Sequence, residues 1–225
     1  FKDFKFRHRS KKNQIIFTKK RVKNDVEVLN LIDNFLEEKN SFIFESVEKG
    51  KIKGRYTIFG KNPDKIWEFD DNKSYLIKNK KKIRLKIKPN HLIEKIIQDF
   101  KFDTPKRLPK ICSLISGYFS YDCIRYIENI PNSCKNDLKL PDVRLLRPRT
   151  LIIHDNVKKK IFYIINVFND EKITNYKKKF KDIKTELFKL SLQSSIQYFN
   201  KTKNEIKKNI NVKSNTTKNK FLKMV

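Results

Sequence analysis

At 225 residues the chain is long enough for one large domain or two small ones with a substantial core, no run approaches the ~20 apolar residues of a bilayer span, and no apolar signal segment opens it. A formal net charge of +29 and an isoelectric point near 10.0 invite a nucleic-acid partner, because neutralising phosphates releases counterions. The cations argue otherwise: 44 are Lys and 10 are Arg, scattered with no helix-turn-helix spacing, zinc pattern or RNA-recognition aromatic motif, so the expectation is a solvated lysine-rich surface with no nucleic-acid and no membrane partner.

The first predicted strand is Gln14 to Thr18. A helix from about Asp25 to Glu38 follows, capped by Asn24 or Asp25, with Val28, Leu31, Ile32, Phe35 and Leu36 on one stripe. Strands are expected at Phe42 to Val47 and Arg55 to Phe59, then a meander of Lys65 to Phe69, Ser74 to Lys78 and Lys82 to Lys88. Lysines alternate there with Ile, Leu and Tyr, which implies one wet sheet face.

Asn90 is the expected cap of a second helix, His91 to about Phe100, with Leu92, Ile93, Ile96, Ile97 and Phe100 facing inward. Pro105 and Pro109 mark a connection to a strand at Ile115 to Tyr121, where Gly117 permits close backbone approach. After Pro148 a hairpin of Leu151 to His154 and Ile161 to Val167 is predicted. A helix from Asp170 to Leu192 repeats Ile173, Tyr176, Phe180, Ile183, Leu187 and Leu190 at spacings of three and four. Residues 195–213 read as a linker, and Ser214 to Lys218 as a capped helix start with Phe221 and Leu222 as its first core residues. The chain begins at Phe1 and stops in the first turn of that helix, so it reads as a fragment.

Cys112, Cys123 and Cys134 are odd in number and at no metal-ligand spacing. Reduced thiols and a cytoplasmic location are therefore expected. No phosphate loop or nucleophile elbow is present, and His8, His91 and His154 lie far apart. No catalytic residue is assigned.

The most informative stretch is Ser41 to Gly60, SFIFESVEKGKIKGRYTIFG. Glu45 and Ser46 end one strand, and Gly54, Arg55 and Tyr56 open the next. An α-ammonium is best met by a carboxylate, hydroxyl or carbonyl, and an α-carboxylate by a guanidinium fork, so the arrangement suits a free amino acid. The same residue types also make an ordinary edge hairpin with a solvated ion pair, worth ~0–1 kcal/mol.

This segment resembles the amino-terminal region of anthranilate synthase component I, where a Glu-Ser strand end, a glycine-rich loop and a Gly-Arg-Tyr-Ser-type strand follow one another. Ser116 to Glu128, SGYFSYDCIRYIE, resembles that family's Gly-Tyr-x-x-Tyr-Asp-x-x-Arg-Tyr-x-Glu stretch. Leu140 to Asp155, LPDVRLLRPRTLIIHD, resembles its Leu-Pro-Asp strand and Asp-terminated hydrophobic strand. Thr57 stands where Ser is usual, and Arg147-Pro148-Arg149 is more basic than the family pattern.

The resemblance implies an α+β fold, a largely antiparallel β-sheet with three main helices, forming the amino-terminal part of a layered sandwich. It implies a domain over residues 1–194 and, from 214 to 225, the start of a chorismate-binding domain. The complete enzyme would convert chorismate, with ammonia from a glutamine amidotransferase partner, to anthranilate and pyruvate. Its Mg2+ site and its catalytic residues would lie outside this fragment, which would be inactive alone. Carried over residue by residue, Glu45, Ser46 and Arg55 would bind tryptophan as a feedback inhibitor, with Phe44 as apolar wall. Component I of aminodeoxychorismate synthase, whose doublet is often Asp-Ser, is the nearest rival in chemistry. A stand-alone amino-acid-binding module and a basic nucleic-acid-binding domain are competing readings from a different class.

Overall fold

A computed structural model describes residues 1–22, 28, 31, 38–45, 54–131, 138–193 and 214–224. The predicted 25–38 helix and the 195–213 linker therefore lie largely or wholly outside the described residues, although Val28 and Leu31 are helical and buried. The architecture is α+β, built on one antiparallel sheet of eight strands.

The elements are α1 (Lys2–Arg9), β1 (Gln14–Arg21), β2 (Phe42–Phe44), β3 (Tyr56–Asp70), β4 (Lys73–Lys78), β5 (Lys81–Leu85), α2 (Pro89–Asp99), β6 (Ser116–Phe119), β7 (Val143–Asp155), β8 (Lys160–Val167), α3 (Tyr176–Gln193) and α4 (Lys218–Leu222). Short 3-10 turns occupy Lys110–Cys112 and Tyr121–Tyr126. Two long strands, β3 and β7, pair from Tyr56 opposite Asp155 to Phe69 opposite Val143. Around this spine the sheet divides in two. One half runs β1-β8-β7-β3-β2, the other β6-β7-β3-β4-β5.

Two prolines sit where the halves part. Pro63 faces Pro148 beside a register shift, and Asn62 there takes φ 52. A proline cannot donate to a ladder and is confined to edges or bulges. Here β2 pairs only up to Gly60 and β4 only from Ile66, while β8 pairs from Thr150 and β6 stops at Leu146. Both prolines therefore lie at an irregularity of the β3–β7 ladder, in a stretch where neither strand has a lateral partner among the described residues. Strand β3 thus runs on across the gap between the expected strands Arg55 to Phe59 and Lys65 to Phe69, and β7 begins before Pro148 rather than after it.

The core has three parts. On one face of the first half, Phe59, Ile152, Ile161, Tyr163 and Ile165 pack under Ile183, Leu187 and Leu190 of α3 and Phe4 of α1. On its other face Leu151, Ile153, Phe162 and Ile164 meet Leu108 and Cys112. Both faces of β7 and β8 are thus covered, which matches their unbroken apolar runs. In the second half Trp67, Phe69, Val143 and Leu145 pack under Leu92 and Ile96 of α2.

Several expected boundaries shift for local reasons. Helix α2 starts at Pro89 with Lys88 as its cap residue, because proline's fixed φ suits the first helical position; Asn90 instead accepts from the His91 amide at 2.9 Å. Helix α3 starts at Tyr176, not Asp170, since Asn175 accepts from the Lys178 amide at 2.9 Å. Ile173 precedes the helix yet still packs on the core. Thr217 caps α4, whose Phe221 and Leu222 are exposed rather than core. Strand β6 stops at Phe119, where Ser120 turns the chain into the 3-10 helix. Sequence reasoning missed α1, which holds His8 buried with its Nδ1 3.0 Å from the Tyr176 hydroxyl.

The polar residues of the spine are paired across strands. Arg147, 8% exposed, forks onto Asp64, reaches Asp170 at 2.8 Å, and lies 3.8 Å over the Phe168 ring. Burial works to raise the Asp170 pKa, but the hydrogen bonds and charges of Lys65 and Arg147 outweigh it and hold the carboxyl down at about 2, against 3.8 ordinarily. A depressed carboxyl stabilises the fold above its unfolded pKa, and that contribution disappears as pH falls through the folded value. Parent stability should therefore drop between pH 3.8 and about 2, and Asp170→Asn should be less stable at pH 7 with a shallower acid limb, read by urea midpoints at each pH.

Two glycines are required by contact rather than conformation. A Cβ on Gly117 would lie 1.9 Å from the Arg144 carbonyl oxygen, and one on Gly60 would lie 2.2 Å from the Phe42 ring. Backbone in a paired strand yields less than one ring. Gly117→Ala should cost ~1–3 kcal/mol in urea unfolding and Gly60→Ala clearly less.

Candidate functional site

The three segments singled out in the sequence meet on β7. Its first residues pair with β6, and the Leu-Pro-Asp turn before it is tied to the Tyr-Asp-x-x-Arg-Tyr segment: the Tyr126 hydroxyl donates to Asp142 at 2.6 Å, the Tyr118 hydroxyl donates to the Pro141 carbonyl at 3.1 Å, and the Ser120 amide donates to the Asp142 carbonyl at 2.7 Å. Burial and the Asp142 carboxylate together push the Tyr126 phenol far above its ordinary range. Arg125 pairs with Asp122 and donates to the Pro131 carbonyl at 3.1 Å.

At its far end β7 meets the Gly-Arg-Tyr segment. Arg55 forks onto Asp155, Nε to Oδ1 at 3.2 Å and Nη2 to Oδ2 at 2.9 Å. Asp155 is 1% exposed, and its Oδ1 also accepts from the Val157 and Lys158 amides at 3.1 and 2.9 Å. The Asn156 amide donates to the Arg55 carbonyl at 2.8 Å, and Asn156 Nδ2 donates to the carbonyl of Gly54, whose φ of 73 only glycine takes without strain. The guanidinium lies 4.9 Å over the Tyr56 ring. Asp155, the terminal residue of the third motif, is thus the fixed partner of the arginine of the first. Sequence reasoning missed this pairing; the signal was the aspartate ending an apolar strand, where a buried charge demands a partner.

Of the four predicted binding residues, Phe44 ends β2 opposite Ile58 and is 47% exposed, with its ring 4.9 Å from that of Phe42. Glu45 follows it and is exposed. Ser46 lies outside the described residues. Arg55 spends two of its five donors on Asp155, and its side chain keeps 27% exposure. Its other donors are not used by Asp155.

Burial works to raise the Asp155 pKa, but the hydrogen bond from Arg55, the two backbone amides and the guanidinium charge prevail and leave it below its ordinary value. Its contribution to stability is present above the unfolded carboxyl range and fades as pH falls through the lowered value. Asp155→Asn, which keeps the shape but gives up the charge, should cost ~1–3 kcal/mol at pH 7 by urea denaturation, and the difference from the parent should shrink in acid.

No protein-family model matches the chain. It is 31% identical over 205 residues to anthranilate synthase component 1 of Acetivibrio thermocellus, covering 88% of this chain and 41% of that protein. It is 30% identical over 166 residues to the protein of the same name from Cereibacter sphaeroides, covering 72% of this chain and 33% of the relative. The crystal structure of anthranilate synthase component I from Streptococcus pneumoniae TIGR4 shares its fold, with a TM-score of 0.52 and 20% identity over 79% of this chain and 37% of that one. The three motifs thus meet on one strand within the fold that this crystal structure shares. Over most of its own length the chain is homologous to these anthranilate synthase component 1 proteins, and it spans about two fifths or less of theirs.

Proposed function

We propose that this chain is the amino-terminal, regulatory portion of an anthranilate synthase component I, which carries the tryptophan feedback site while chorismate chemistry takes place on a domain beyond it. The single observation that supports this reading is the placement of Arg55. A guanidinium locked on one side by Asp155 is pre-oriented, so that binding an α-carboxylate at its remaining donors costs little further side-chain entropy. Glu45, one residue past the end of β2, supplies an exposed carboxylate for an α-ammonium, Ser46 a hydroxyl, and the exposed ring of Phe44 an apolar wall.

In the complete enzyme, residues 1–194 would form this domain, 195–213 a linker and 214–225 the start of the chorismate-binding domain. That enzyme would release anthranilate and pyruvate in tryptophan biosynthesis, using ammonia from a glutamine amidotransferase subunit. Among the described residues no three His, Cys, Asp or Glu side chains come together as metal ligands, and we assign no Mg2+ ligand to this chain. Tryptophan seated between the two domains inhibits by linkage, binding the inactive arrangement more tightly than the active one. The aminodeoxychorismate synthase reading is less well supported, because the relatives above bear the anthranilate synthase name.

In the complete enzyme Ser46→Leu should leave turnover within about twofold while raising the tryptophan concentration for half-inhibition by about tenfold or more, a coupling loss of ~1.4 kcal/mol. Inhibition curves that superimpose on the parent would remove the assignment.

A further inference from the structure

The parting of the sheet leaves a notch on the free edge of β3, between Phe42, the first residue of β2, which pairs with Gly60, and the β4 pairing that begins at Ile66. It forms a cleft of about 620 Å³, within the size range of small-molecule sites. Pro63, Ile66, Ile77 and Phe168 supply its apolar surface. The exposed lysines 39, 78, 80 and 172 ring it, and none of them has an acidic partner among the described residues. From Arg55 it is separated by about seven residues of β3, roughly 23 Å at about 3.3 Å per residue.

The acids in the lining do not cancel these cations. Asp64 is held by Arg147, Asp170 by Arg147 and Lys65, and Glu171 by Lys179. Arg149 also lines the cleft; its Nη1 is 3.6 Å from Glu171 and its Nε is buried with no hydrogen-bond partner among the described residues. A buried donor left without an acceptor is destabilising, and an incoming oxyanion can satisfy it. The cleft therefore combines an apolar bed, a net cationic ring and a guanidinium with spare donors.

We infer that this notch is a binding site for a small organic anion, an apolar body bearing two or more carboxylates or phosphates. The inference is independent of the tryptophan reading, because no residue is shared between the two sites.

Titration calorimetry of this chain with trimesate, a benzene ring bearing three carboxylates, tests it at low ionic strength. One saturable site is expected. Lys80→Gln/Lys172→Gln should weaken binding about fivefold or more, a change of ~1 kcal/mol. Arg149→Gln should weaken it further, with near-ultraviolet circular dichroism checking its fold; if that variant misfolds, the lysine pair decides. The control Lys95→Gln/Lys189→Gln, on exposed positions of α2 and α3, should bind as the parent does. Non-saturable uptake, or equal weakening in the control, would overturn the site. Tripolyphosphate binding as tightly as trimesate would overturn the role of the apolar bed.

Discussion

Everything in this fold hangs on the pairing of β3 with β7. These are the only two strands of the described sheet that both halves share, so the register between them sets where every other strand can attach. A slip of one residue would turn Phe59 and Ile152 from their core to the opposite face and do the same to Trp67 and Leu145 at the other end. Pairs of such residues are worth far more than surface ion pairs: a fully buried Ile or Leu contributes about 1.5–3 kcal/mol, an exposed ion pair ~0–1. Apolar burial on two separate cores therefore fixes the register twice over. The facing prolines fall at the register shift, in a stretch where neither strand has a lateral partner among the described residues.

That register also decides which charges meet. Arg55 reaches Asp155, Arg147 reaches Asp64, and Glu68 is held between Arg144 and Lys82 because β3, β7 and their neighbours bring these positions side by side. Leaving a buried charge alone is expensive, so each pair acts as a local check on register even where its net stabilisation is small. In Arg55 the same check fixes the geometry of a side chain that stays partly exposed at a strand end.

Much of the architecture was legible in the sequence, and the reasons are physical. The strand segments of β7 and β8 and the amphipathic stripes of α2 and α3 follow from periodicity, and the pairing of β2 with β3 was read from the glycine-bearing loop between them. The continuity of β3 and β7 was not, because proline interrupts a strand pattern locally and only pairing between segments distant in sequence carries β3 past Pro63 and β7 past Pro148. Helix α1 was missed since only Phe4 and His8 of it are buried, too few to show a stripe. At the site, Phe44, Glu45, Ser46 and Arg55 came from the motif. The role of Asp155 did not, as a hundred residues separate it from Arg55 and only the sheet joins them.

The surplus of positive charge has a structural reading too. Acidic residues are spent in pairs along the spine and at its ends, where Asp64, Glu68, Asp155, Asp170 and Glu171 each hold at least one cation. Among the described residues, lysines that exceed this demand lie on exposed edges, as Lys81, Lys86 and Lys88 do. An exposed edge strand invites pairing with another chain, and lysines on it oppose that by repulsion and by the cost of desolvating an ammonium. Through most of the hairpin that protection accounts for the charge. It does not account for a ring of lysines closing on an apolar notch beside a buried guanidinium nitrogen, which places the notch, rather than the edge, as the location where this charge has a recognition role.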